Sequence, residues 1–365
     1  GHKKEEILYI NFEDDRLLSF DTQDFEVLKR SYEELFPYEP IFFLDEIQNV
    51  PNWEKFARRL ADQKYKVYIT GSNAKMLSGE IATTLGGRFF MHNIYPYSFK
   101  EYLNASNIAI PDNFDYQNNS EIIRTFAQYF TFGGMPELHD VPPIEKRLWL
   151  SSLYNKIFFG DLISRYSIRN DMALKVLVRK LADSVKQPTS FNRMANVVSS
   201  TGQKIKTDTV IEYLKYLEET WLIFSIENIS SKLNDKVSNK KYYFIDNGIL
   251  NLFLTDGNTS LFENMLAIHL RHHYAHELFY YLKDVEVDFY LYDSQIAIQA
   301  CYNMSDISTR NREVGDLIKF AKVFPCKKLY IVTNDEEYEM EESGFKISVV
   351  PLWKFLILDC LKTKV

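Results

Sequence analysis

Apolar and polar positions change rhythm along the chain. Near the start, short apolar runs at Ile7–Asn11, Ile41–Leu44, Lys66–Thr70 and Phe89–Asn93 alternate with two amphipathic stretches. The first, Asp24–Leu35, follows the cap candidates Asp21 and Thr22; in the second, Trp53–Gln63, the residues Trp53, Phe56, Ala57 and Leu60 share one helical face. Strand and helix in alternation predict a parallel sheet covered on both sides, with ligands at the C-terminal ends of its strands. A polar break at 111–120 leads into helical segments at Glu121–Phe132 and Pro143–Phe159, punctuated by Gly133 and Gly134. From Asp171 the pattern predicts a helix to Val185, a short helix capped by Thr189 or Ser190 and ending near Ser199, and a third over Thr209–Glu219 capped by Thr207 or Asp208. Trp221–Ile226 and Lys241–Ile245 then alternate as a hairpin with a polar tip at Ser230–Asn239. Further strands follow at Val285–Asp288, Ile296–Ile298, Lys328–Val332 and Lys346–Val350, and a closing helix at Pro351–Leu361.

The second strand is the informative one. Ile41-Phe-Phe-Leu-Asp-Glu-Ile-Gln48 runs straight into an acidic pair, so a buried strand would deliver Asp45 and Glu46 to its C-terminal edge. There Asp45 could hold Mg²⁺ and Glu46 could orient an attacking water. The third strand leads into Thr70-Gly-Ser-Asn73, which would set the Asn73 amide beside a terminal phosphate. Each segment alone also reads as an ordinary parallel strand with a polar edge. Arg88, after Gly86 and Gly87, would either reach a phosphate or pair with a local carboxylate. No glycine in the chain is followed by lysine, so a phosphate-cradling Gly-x-x-x-x-Gly-Lys-Ser/Thr loop is not among these residues.

Along nearly its whole length the chain resembles the bacterial and archaeal ATPases of the AAA+ superfamily that end in a domain of unknown function, of the DUF4143 type. The resemblance is carried by Phe43-Leu-Asp-Glu-Ile-Gln48 as Walker B, Thr70-Gly-Ser-Asn73 as sensor 1, Leu85-Gly-Gly-Arg88, Tyr95-Pro-Tyr-Ser-Phe99 with Glu101-Tyr-Leu103, and Phe132-Gly-Gly-Met-Pro-Glu137. Tyr243-Phe-Ile-Asp-Asn-Gly248, Leu261-Phe-Glu-Asn264 and Glu286-Val-Asp-Phe289 complete the series. It implies an α/β protein with four parts: an incomplete parallel-sheet AAA+ core over residues 1–115, a helical lid over 116–168, a winged-helix domain over 169–250, and a restriction-endonuclease-like domain over 251–365. ATP and Mg²⁺ would be the ligands, with Asp45 on the metal, Glu46 as base, Asn73 as sensor and Arg88 as finger. In that family the phosphate loop precedes the first strand, so it is expected upstream of residue 1. The start Gly1-His2, without methionine, reads as a tag remnant on a shortened chain. These residues alone are then expected to bind ATP weakly and not to hydrolyse it.

Three helices and a hairpin form the winged-helix pattern, whose third helix can enter a major groove. Lys204, Lys206, Lys215, Lys232, Lys236, Lys240 and Lys241 would supply phosphate contacts. Asp208, Glu212, Glu218 and Glu219 on that helix oppose a duplex and leave protein interaction or domain bracing as the other role. The C-terminal part carries a second acid set: Glu263 on a helix, Asp288 on a strand, and Gln299 with Cys301 after the next. In the nuclease fold it resembles, the last position is a lysine that assists water. A thiol cannot be that fixed cation, which implies a degenerate site. His269, His272, His273 and His276 cluster on one helix side roughly 130° from Glu263, reading as a solvated face or an adventitious Zn²⁺ site.

Composition sets outer limits. The 365 residues, 46% hydrophobic, suffice for two to four domains, and a net charge of −7 argues against blanket nucleic-acid binding. Cys301, Cys326 and Cys360 have no metal-ligand spacing and read as reduced cytoplasmic thiols. No apolar run approaches the ~20 residues that span a bilayer, and no secretion signal is read. A protein partner or a homo-oligomer fits the AAA+ resemblance.

Overall fold

The computed structural model describes residues 2–71, 83–111, 119–230 and 239–358. The chain divides into two compact units, residues 1–93 with 219–221, and residues 94–218 with 222–365.

In the first unit, β1 (Ile7–Asn11), α1 (Asp24–Leu35), β2 (Ile41–Asp45), α2 (Trp53–Asp62) and β3 (Val67–Ile69) follow one another. The described strands pair in the order β1-β2-β3, all parallel, with Asn11 opposite Asp45 and Leu44 opposite Ile69. Parallel strands bury both faces. Phe42 and Leu44 of β2 are fully buried, and Phe25 of α1 stacks on Phe56 of α2 at 4.0 Å. The α2 face expected from periodicity forms as read, with Trp53, Phe56, Ala57 and Leu60 all buried. The expected strand at Phe89–Asn93 does not form. A strand exists only through a paired ladder; no described strand pairs with this segment, and Phe90 is 95% exposed.

The second unit opens with α3 (Phe99–Ala105), whose Ser98 and Glu101 form a reciprocal capping box, followed by α4 (Ser120–Phe132) and α5 (Pro143–Asn155), which continues as a wider π-wound turn to Ser164. Then come α6 (Asp171–Asp183), β4 (Thr189–Ser190), α7 (Phe191–Ser200), α8 (Thr207–Glu219), β5 (Ile223–Asn228) and β6 (Asn239–Phe244). Ser190 caps α7, as its sequence position predicts, while α8 starts two residues earlier than expected. After α9 (Asn247–Asn251) and α10 (Asn258–Tyr274) the chain runs through β7 (Leu278–Leu282), β8 (Glu286–Leu291), β9 (Ile296–Ala300), α11 (Ile307–Ala321), β10 (Lys328–Thr333), β11 (Tyr338–Glu342), β12 (Phe345–Pro351) and α12 (Leu352–Ile357). The described strands of this unit form one sheet, β11-β12-β10-β9-β8-β7-β5-β6-β4. The hairpin β5–β6 joins the C-terminal strands through parallel pairing of β5 with β7, Glu227 opposite Phe279. The sheet therefore runs across the boundary that the sequence places at 250/251.

A buried polar network locks this unit. The Asp246 carboxylate caps α9, accepting from the Gly248 and Ile249 N–H groups at 2.8 and 3.2 Å, and also from Gly134 N–H at 2.8 Å. Gly133, at φ +78°, has no room for a side chain, because a Cβ there would lie 2.1 Å from Asp246 Oδ1. Asn247 donates to the carbonyls of Phe130 and Leu261, and Asn264 exchanges hydrogen bonds with the Phe244 backbone. Burial raises the pKa of Asp246 to about 6, against the lowering effect of its three N–H donors.

An acid raised in the folded state binds its proton more tightly there than when unfolded, so its stabilising contribution is present at low pH and is lost as pH rises through about 6. Relative to the Asp246→Asn variant, the parent should lose up to about 1.4 kcal/mol per pH unit between pH 4 and 6, with a flat difference above. Urea unfolding midpoints across that range provide the check; a difference independent of pH would show that Asp246 titrates normally.

Candidate functional site

The acidic pair sits where the sequence places it, at the C-terminal end of β2, the central described strand of its sheet. Asp45 Oδ2 accepts from the Tyr9 hydroxyl at 2.9 Å, and its Oδ1 accepts from the Thr70 hydroxyl. The neighbouring strands thus each aim one hydroxyl at the same carboxylate. Glu46 follows in the left-handed region at φ 51°, a conformation that costs a non-glycine residue about 1 kcal/mol and turns its side chain off the strand direction. Its backbone N–H donates to Thr70 Oγ1 at 3.4 Å, and the Gln48 amide donates to its Oε2. Gln48 Oε1 is buried with no protein hydrogen-bond partner among the described residues. Sequence reasoning does not find Tyr9 and Thr70 as Asp45 partners; the parallel register sets Thr70 beside Asp45 but pairs Tyr9 with Phe43, so pairing alone points to the first hydroxyl, that of Thr70, and not to the second.

The other two residues of this set stand differently. Asn73 lies outside the described residues. Arg88 pairs with Asp62 at the end of α2, Nε to Oδ1 2.8 Å, the local-carboxylate alternative. Its turn is made by Gly86 and Gly87, both at positive φ.

The second set converges around a residue that the sequence assigned elsewhere. Lys241 of β6 is fully buried, and its Nζ lies 3.3 Å from Glu263 Oε1, 3.0 Å from Asp288 Oδ1 and 3.0 Å from Glu286 Oε1. Tyr243, two residues on and so on the same strand face, donates to Glu263 Oε1 at 2.8 Å. Burial pulls Lys241 down, but Glu263 and Asp288 outweigh it and hold its pKa well above the ordinary value. The expectation that Lys241 offers its charge to a phosphate backbone is therefore corrected: its charge is spent inside the fold. Lys240 lies 3.4 Å from Glu227; Lys232 and Lys236 lie outside the described residues.

Gln299 and Cys301 do not complete a metal site with these acids. Gln299 braces the strands: its Oε1 accepts from Asp288 N–H at 2.8 Å and its Nε2 donates to Glu313 at 2.6 Å. Cys301 is 5% exposed, donates to the Asn303 carbonyl, and burial pushes its thiol up to about 12. Among the described residues, no group of three or more His, Cys, Asp or Glu is placed to hold a metal ion. The histidine face is only partly solvated: His272 stacks on Tyr95 at 4.3 Å, and burial takes its pKa down to about 4. Cys360 lies outside the described residues, and no described helix is long and apolar enough to cross a membrane.

Residues 1–103 match the model of an AAA domain. Where the sequence suggested the DUF4143 type, the model matching residues 123–260 is a domain of unknown function, DUF8612. The chain is 33% identical over 369 aligned positions to the uncharacterized protein MJ1544 of Methanocaldococcus jannaschii, covering 97% of this chain and 82% of that protein. It is also 33% identical to an uncharacterized protein of Haemophilus influenzae, over 68% of this chain and 61% of the relative. A solved Walker-type ATPase of Pyrococcus abyssi, PABY2304, aligns over 63% of this chain and 66% of its own, at 13% identity and a TM-score of 0.36.

Removing one partner from a buried charge cluster leaves the others uncompensated, at a cost of about 3–5 kcal/mol. Lys241→Met should destabilise the protein by that order, and adding Glu263→Gln should recover part of the loss. Chemical denaturation of the parent, the single variants and the double variant measures the coupling. A fully stable Lys241→Met protein would mean that the carboxyl groups already carry protons.

Proposed function

The chain belongs to the same family as the uncharacterized M. jannaschii protein, and from the AAA-domain match over residues 1–103 we propose that its first unit is built to bind Mg²⁺-ATP and to turn it over once a phosphate-cradling loop is present. The observation that carries the reading is the acid pair at the rim of β2, with Asp45 fixed by two hydroxyls. When bound, Mg²⁺-ATP supplies the transferable phosphoryl group and a cation that neutralises its charge. Asp45, with two lone pairs committed to Tyr9 and Thr70, keeps others to hold that cation through its hydration shell. Glu46 orients the attacking water, and the unpartnered Gln48 Oε1 offers an adjacent acceptor. Asn73 serves as the phosphate sensor. Arg88 acts as a finger only by leaving Asp62, and an exposed pair of this kind costs about 0–1 kcal/mol to break.

A second reading concerns the C-terminal part of the second unit. The meeting of Glu263 and Asp288 at Lys241 supports a restriction-endonuclease-like reading of α10-β7-β8-β9-α11-β10, and the element order α6-β4-α7-α8-β5-β6 supports a winged-helix reading. We read both as binding or bracing modules, because Lys241 stands where a divalent cation would have to sit. Loss of a Mg²⁺-dependent nicking activity in Asp288→Ala would reverse that judgement.

In a version carrying a Gly-x-x-x-x-Gly-Lys-Ser/Thr loop ahead of β1, Glu46→Gln should lower ATP turnover by about a hundredfold or more while leaving nucleotide binding nearly intact. Phosphate release assays decide it; unchanged turnover would end the hydrolase assignment. The 365 residues themselves should bind ATP more weakly than micromolar, as equilibrium titration with a fluorescent ATP analogue would register.

A further inference from the structure

A polar pocket of about 220 Å³ opens between α3, α4 and the first turn of α5, lined by Ser106, Arg124, Thr125, Gln128, His139 and Lys146. Lys146 is its unusual member. The residue is 3% exposed, and no carboxylate among the described residues lies within ion-pair distance of its ammonium; the contact recorded for it is the Phe132 ring, 5.6 Å away. It also stands in the first turn of α5, whose cap position is Pro142 with no side-chain hydrogen bond. Burial and the positive end of the helix dipole both disfavour a cation there. Burial alone lowers its pKa, with no acid acting against it.

The rest of the lining adds positive charge and neutral donors. Arg124 and Gln128 are one turn apart on α4 and so share a face. The nearest acid recorded for Arg124 is Glu121 at 3.9 Å, with both side chains largely exposed. The Ser106 hydroxyl donates to the Tyr102 carbonyl at 2.9 Å, which leaves its lone pairs facing His139 Nε2 at 3.1 Å; the Asp140 carboxylate accepts from Nδ1 at 2.9 Å. Asp140 itself projects into solvent, 98% exposed.

We propose that this pocket binds a phosphate group, free or on a small phosphomonoester, with Lys146 and Arg124 as its charged ligands and Thr125 and Gln128 as neutral donors. The whole pocket belongs to the second unit, so the inference is independent of the ATP reading. An anion here gives a buried ammonium its counter-charge and would also favour the α5 N-terminus.

The test is calorimetric titration of the 365-residue chain with inorganic phosphate and with glycerol 3-phosphate, at ionic strength held constant with chloride. Saturable binding is expected, weakened at least about tenfold in Lys146→Met and several-fold in Arg124→Ala, and largely kept in Lys146→Arg. Arg124 is exposed, so its variant reports on the site even if a Lys146 variant folds poorly. Binding of both probes assigns a phosphomonoester, and binding of inorganic phosphate alone assigns the free ion. Absence of saturable binding, or binding undiminished in both Lys146→Met and Arg124→Ala, overturns the proposal.

Discussion

The second unit is organised by one buried carboxylate. Asp246 gathers backbone N–H groups from its own segment and from Gly134, 112 residues away from it in sequence, and the burial cost of an acid is offset by three donors instead of a cation. Everything near it follows. Gly133 and Gly248 must lack side chains, since a Cβ on either would fall within 2.2 Å of Asp246 or of the Phe132 carbonyl. Asn247 and Asn264 extend the network to α4, β6 and α10. With β6 and α10 fixed against each other, Lys241 and Tyr243 can only face Glu263.

The two acid sets illustrate opposite ways of carrying negative charge. Glu263, Glu286 and Asp288 share a single tethered ammonium that lies within 3.3 Å of all three. Asp45 instead is positioned by neutral hydroxyls, which fix its direction without cancelling its charge. A carboxylate held in place but not neutralised is suited to an external cation. That contrast separates a candidate working site from a structural one more sharply than the identity of the acids does.

Local periodicity made much of the fold legible. The α1 boundaries, β1, the buried face of α2 and the hairpin β5–β6 all follow from spacing, because each is set by residues a few positions apart. Phe89–Asn93 was misread since apolar content says nothing about whether a partner strand exists. The acid pair was visible through its place at a strand end. Lys241 was not: adjacent lysines at 240 and 241 look alike in sequence, and only the sheet pairing buries the second. Lys146 hid for the same reason, as one charge in a helix whose apolar residues do not gather on one face, so that its buried side cannot be assigned before its neighbours are placed.

The shared edge between β5 and β7 carries a consequence for modularity. Cutting the polypeptide after residue 250 would bare a row of main-chain hydrogen-bonding groups on the hairpin. It would also strand three carboxylates on the other fragment without their ammonium. The two halves are thus structural companions, and exchanging one without the other would have to rebuild both a seam and the partner of three acids at once.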